Sequence, residues 1–174
     1  MSPGFQRNGI GSTVNALKLD HDEARAVLAY ATAEPGPIGK AARWVARVCL
    51  PHFEQEERVV FPVFDRLHEL ASDDLRPEMA HLLPLISEFQ ACHLGKQHQS
   101  IEAAIEALLR AAHAEESVRI AEFARVLQVH ERVEEEVVYP AVILIGKYLN
   151  GKLERRSGRR VAEPGRLRQA QAPR

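Results

Sequence analysis

Apolar positions along the chain recur at steps of three and four. Val14, Leu17, Ala24 and Leu28 form one such stripe, and Val45, Val48, Val59, Val63 and Leu67 a second. Leu94, Ile101, Ile105 and Leu108 give a third, and Phe123, Leu127, Val137, Ala141 and Leu144 a fourth. That spacing places each set on one face of a helix. Strict alternation is absent, and Ala, Glu, Arg and Leu dominate, so no strand is expected. The first helix is expected from a cap at Ser12 or Thr13 to about Ala33, where Glu34-Pro35-Gly36-Pro37 breaks it. The second covers about 38–70 and ends before Ser72-Asp73-Asp74. The third covers about 78–112, with a distinct first turn because Pro84 lacks a backbone donor. The fourth starts between Glu115 and Ser117 and stops at Asn150-Gly151. Four long helices with short connections favour an all-α, up-down-up-down four-helix bundle.

Each apolar stripe is interrupted by polar residues in the same phase: His21 in the first, His52 and Glu56 in the second, His98 in the third, His130 and Glu134 in the fourth. Two of these interruptions belong to one repeated motif. His52 and His130 are each followed by three residues, Glu-Glu, one residue, Val-Val, an aromatic ring and a proline, Pro62 or Pro140. His21 to His98 is 77 positions, and His52 to His130 and Pro62 to Pro140 are both 78. Six inward polar side chains would be costly to bury without compensation. Two cations supply it: two histidines for each, with both carboxylates bridging. Imidazole with carboxylate suits iron, and also manganese or zinc. Paired ions typically sit ~3.5–4 Å apart, a span one bridging glutamate can match.

The other motif residues are assigned blander roles. Glu57 and Glu135 lie about 100° around the helix from the ligand glutamates, as an outer shell or in solvent. The Val-Val-aromatic runs fill core and could form a dry wall. Pro62 and Pro140 free the carbonyls of Arg58 and Glu136, so a local kink is expected past the metal layer. Tyr139 falls on a neighbouring face and receives no redox role. His68, His81, His93 and His113 fit structural roles better than ligation.

Size and charge narrow the picture. The 174 residues suit one domain with a real core. No apolar run approaches a membrane span, and Met1 to Gly9 lacks the apolar stretch of a secretory signal. Cys49 and Cys92 are too few for a disulfide scaffold and form no Cys-x-x-Cys pair, so a cytoplasmic protein with reduced thiols is expected. Residues 151–174 hold eight Lys or Arg against two acids, a net +6, which leaves −7 for residues 1–150 of the chain's total −1. The expected division is a flexible N-terminus over 1–11, a helical domain over 12–150 and a disordered or extended basic tail over 151–174. The tail could contact an acidic partner. The acidic body argues against nucleic acid as the main ligand.

The doubled motif, with a histidine upstream of each copy, resembles the hemerythrin-like (HHE cation-binding) family over about residues 12–149. The resemblance implies a non-haem di-iron centre with His21, His52, Glu56, His98, His130 and Glu134 as ligands, bridged by Glu56, Glu134 and an oxo or hydroxo group. Ferritin-like bundles match less well, because their pairing is Glu-x-x-His. Oxygen-carrying members place two histidines one turn apart on the third helix. Here Leu94 and Glu102 flank His98, so the fifth imidazole is missing and Glu102 is a candidate oxygen donor in its place. The fourth-helix carboxylate also differs, since oxygen carriers use Asp one residue further along. An open position should bind dioxygen less reversibly. The expected function is binding or sensing of oxygen or nitric oxide, or breakdown of peroxide as an enzyme. The alternatives are an iron-sensing or iron-handling protein whose stability follows metal occupancy, and a metal-free helical adaptor.

Overall fold

The computed structural model describes residues 9–66, 77–92 and 94–161, with backbone alone for 9–16, 19, 77–78 and 156–161. The regular structure is all helical, and no strand occurs among the described residues. Helix α1 spans Gly9–Ala31, α2 Gly36–Val59 and α3 Phe61–Asp65. A 3-10 turn over Pro77–His81 leads into α4, Leu82–Cys92. Helix α5 covers Leu94–Ala114 and α6 Val118–Val133. A π-helical turn, Glu134–Val138, joins α6 to α7, Tyr139–Val161.

The expected boundaries hold where Gly and Pro punctuate outside a helix and shift where they sit within one. The first break lies at Glu34-Pro35-Gly36-Pro37: Gly36 adopts φ 77°, and α2 opens with a proline in its first turn, where no donor is needed. The second helix does not run unbroken to 70. It stops at Val59, because Pro62 cannot donate to the Arg58 carbonyl and the chain re-forms as α3. The expected third helix is described as α4 and α5, either side of position 93. Asn150-Gly151 is not a stop either. Helix α7 passes through both to Val161, since a single glycine costs only about 1 kcal/mol and Leu149 is anchored in the core. The basic segment therefore begins as helix rather than extended chain. Ser12 and Thr13 lie inside α1, not at its cap. Leu67, His68, Ser72, His93 and residues 162–174 lie outside the described residues.

Helices α1, α2, α5 and α6 pack in a cyclic order, each against the next and α6 back against α1. Helix α4 packs on α7, α2 and α3 beyond one end of that ring. Two hydrophobic clusters result. One is built from residues such as Ala24, Phe53, Ile101 and Leu127, and the other from Leu17, Phe61, Leu94, Tyr139 and Val142. On each ring helix the polar interruption falls where the chain passes between the clusters: His21 between Leu17 and Ala24, His98 between Leu94 and Ile101. A polar layer is thus sealed between two apolar ones.

Candidate metal centre

All six residues in that layer are buried, and their donor atoms converge. His21 Nε2 lies 3.1 Å from His130 Nε2, and His52 Nε2 lies 3.0 Å from His98 Nε2. Glu134 serves both pairs with different oxygens. Its Oε1 is 3.0 Å from His130 Nε2 and 3.8 Å from His21 Nε2, while its Oε2 is 3.7 Å from His98 Nε2 and 3.9 Å from His52 Nε2. Glu56 Oε2 stands between them, 3.4 Å from His21 Nε2 and 3.6 Å from His52 Nε2. Two donor sets result, His21-Glu56-His130-Glu134 and His52-Glu56-His98-Glu134, each with its atoms within 4.8 Å of one another. Donors at right angles around an ion, each roughly 2.1 Å from it, lie about 3 Å apart. The inward nitrogens already have that spacing, so these buried groups could hold metal ions.

The outer ring nitrogens are held by a closed circuit of acceptors. Glu57 on α2 accepts from His21 Nδ1 at 3.0 Å, and Asp20 on α1 accepts from His130 Nδ1 at 3.3 Å. Glu135, in the π turn, accepts from His98 Nδ1 at 3.0 Å, and Gln97 on α5 accepts from His52 Nδ1 at 3.0 Å. The circuit follows the packing order of the helices and obeys the repeat. Glu57 and Glu135 each follow a ligand-type glutamate, and Asp20 and Gln97 each precede an upstream histidine. Glu57 and Glu135, expected as an outer shell or in solvent, thus accept from the outward nitrogens of His21 and His98. Asp20 and Gln97 were not singled out from the sequence, although their spacing of 77 matches that of the histidines they precede. Arg25 fixes Glu57 at 2.7 Å, and Gln97 donates to Gln55 at 2.9 Å. A histidine that donates from Nδ1 presents a lone pair at Nε2. Four lone pairs and two carboxylates aimed at one small volume repel one another unless cations fill it.

With protons alone, the strain shows in the acidities. Burial, the largest influence on His21, lowers its pKa, but the facing carboxylates of Glu134 and Glu56 outweigh it and hold it at about 9. His52 reaches about 9 by the same balance, with Glu134 and Glu56 opposing burial. His130 is also raised, burial being outweighed by the facing Glu134 carboxylate, whereas burial and the neighbouring His52 charge lower His98. Burial raises Glu56. It would raise Glu134 too, but the facing imidazoles of His130, His21 and His52 carry that carboxyl well below the usual range. Glu56 Oε2 and both Glu134 oxygens still lack a hydrogen bond, the condition a cation would relieve.

Two further residues enter the site. The expectation for Tyr139 is corrected: its hydroxyl donates to Glu56 Oε1 at 2.5 Å and lies 3.0 Å from His98 Nε2. The π turn holds one residue more per turn than an α-helix, so everything after Val138 is rotated by about 100°. For the same reason Val137 and Leu144 are exposed, at 58% and 64%, and Val138, Val142 and Ile145 take the core positions expected of the fourth stripe. Glu131 is the second addition, buried with Oε2 3.1 Å from His98 Nε2. Glu102, the sequence candidate for an extra donor, is exposed and belongs to neither set. It lines an outer cleft of about 330 Å³, with Glu131, Glu135 and Glu136 beside His98. His81 and His113 are exposed and in neither set. Comparison with protein-family models, characterised proteins and solved structures finds no match to this chain.

Proposed function

We propose that the chain is a hemerythrin-like four-helix bundle that holds two iron ions between α1, α2, α5 and α6 and uses them to bind or react with a small diatomic or peroxide. One observation carries the reading: four Nδ1-tethered histidines aim their Nε2 atoms at two shared carboxylates, with three buried carboxylate oxygens left without hydrogen bonds. In this assignment His21 and His130 would hold one ion and His52 and His98 the other, with Glu56 and Glu134 common to both donor sets. Bound there, an iron pair supplies redox chemistry that these side chains lack.

The chain's own residues set the conditions. Phe53 stacks on His21 at 4.0 Å between ring centroids, with Phe61 on the same ring at 5.2 Å, which keeps water from that side. Tyr139 keeps a proton between Glu56 and His98, ready for an arriving ligand. Iron content and visible absorption of the purified chain, before and after peroxide, test the proposal. Near two iron per chain and ferric charge-transfer bands are expected, with metal sharply reduced in His130→Ala and Glu134→Ala. Normal iron content in either variant would remove that residue from the inner shell, and a metal-free, colourless protein from iron-replete cells would end the reading.

A further inference from the structure

The internal repeat allows each side chain to be compared with its counterpart, and three of the pairs that differ bear on the surroundings of His21 and His98. Phe53 corresponds to Glu131, Phe61 to Tyr139 and Arg25 to Glu102, at separations of 78, 78 and 77. In the first copy, Phe53 lies flat on His21, with an interplanar angle of 16°, and the Arg25 guanidinium sits over Phe53 at 5.9 Å. That histidine is walled off. In the second copy the position of Phe53 holds a carboxylate against His98, and the position of Arg25 holds the exposed acid Glu102.

Glu131 is 8% exposed, and neither of its oxygens has a hydrogen bond. The carboxylate is aimed at the outer cleft on one side and at His98 Nε2 on the other, the nitrogen that also faces His52. Glu131 lies outside both four-residue donor sets, but its 3.1 Å separation from that nitrogen matches the spacing of the histidine pairs, the distance expected of two ligand atoms at right angles on one ion. A carboxylate buried for packing alone would find a donor or give way to an apolar residue, as the first copy does with Phe53.

We propose that Glu131 is a fifth protein donor to the cation held by His52 and His98, so that the site has one half with two carboxylates and one oxygen-richer half beside the acidic cleft. The inference rests on the two-metal reading above and deepens it. The His21–His130 half keeps four protein donors. The other gains a third carboxylate and lies beside the Tyr139 hydroxyl.

The test uses the full chain, freed of metal by chelation and titrated with cobalt(II) without oxygen. Affinity is followed against a competing metallochromic dye and coordination by the cobalt d–d bands. Wild type should take up two cobalt ions. Glu131→Gln, with Glu131→Phe restoring the first-copy residue, should leave one step intact and weaken the other by at least about tenfold, the scale of losing a supporting group at a metal. The d–d bands of the weakened step should change with it. Glu136→Gln, which removes a cleft charge without touching His98, should leave both steps unchanged. Identical steps in wild type and Glu131→Gln overturn the inference alone. Equal weakening in Glu136→Gln overturns it too, because cleft charge would then be acting at a distance. A wild type that binds no cobalt overturns the two-metal reading together with the inference.

Discussion

Removing metal and raising the pH should destabilise this protein, and the acidities of the site say in which window. A group whose folded pKa exceeds its unfolded value stabilises fully below the unfolded value and loses that contribution as pH climbs through the folded one. For His21 and His52 the window runs from 6.5 to about 9. Glu131 is raised from 4.5 to about 8, chiefly by burial and then by the Glu134 charge, and acts in the same direction. Glu134 is depressed, so its contribution is present above 4.5 and is lost only on acidification. A rise from 6.5 to 9 is 2.5 pKa units, about 3 kcal/mol for one histidine. His21 and His52 share Glu134, so their effects do not add. A loss of this size corresponds to roughly 6–12 °C of melting temperature in a domain of this length. Metal binding has the opposite sign, because it needs the same nitrogens deprotonated. Circular dichroism melts at pH 6 and pH 9, with and without chelator, measure both. The chelated protein should melt lower at pH 9 than at pH 6, the gap between chelated and loaded protein should widen with pH, and His21→Gln should flatten the slope of the chelated form. A chelated protein equally stable at both values would refute the linkage between these histidines and folding.

Other perturbations separate the roles of individual residues. Tyr139→Phe removes the donor to a fully buried Glu56 oxygen and should cost the metal-free protein about 1–3 kcal/mol in urea unfolding; an unchanged midpoint would mean that the hydroxyl carries no structural weight. Glu57→Gln weakens the acceptor that orients His21, and metal affinity should drop by about 10–100-fold while helix content stays the same. Retained affinity would show the tether to be dispensable. Gly146→Ala would place its Cβ 2.7 Å from Ile86 Cγ2 where α4 meets α7, costing roughly 1–3 kcal/mol. Ile86→Leu, which has no Cγ2, should recover part of that loss in the double variant, and strictly additive losses would place the strain elsewhere.

Helical periodicity makes much of this site legible in the sequence, because burial enforces it. A residue three or four steps from Leu17 or Ile101 has to share the core face, and that alone brought His21, His52, Glu56, His98, His130 and Glu134 into one layer. The phase argument counts 3.6 residues per turn, however, and is blind to a turn that holds more. Pro140 denies the Glu136 carbonyl its partner four residues on, and the chain answers with a π turn at Glu134–Val138. One residue of slippage exchanged Val137 for Val138 and Leu144 for Ile145, and turned Tyr139 from the neighbouring face into the site. Pro62, in the same motif position, broke the helix at Val60 instead and left Phe61 stacked on His21. Two copies of one motif thus produced two different backbones, because α6 continues into a long helix buried at Val142 and Leu149 while α2 ends after one further short turn. Glu131 escaped for a related reason. It is adjacent to His130, and adjacent residues normally point about 100° apart, so its burial depends on α5 covering a second flank of α6. A helix with two covered flanks has a wider buried arc than a single stripe. Where such an arc contains an acid in one repeat and Phe53 in the other, the acid is there for something the ring could not do.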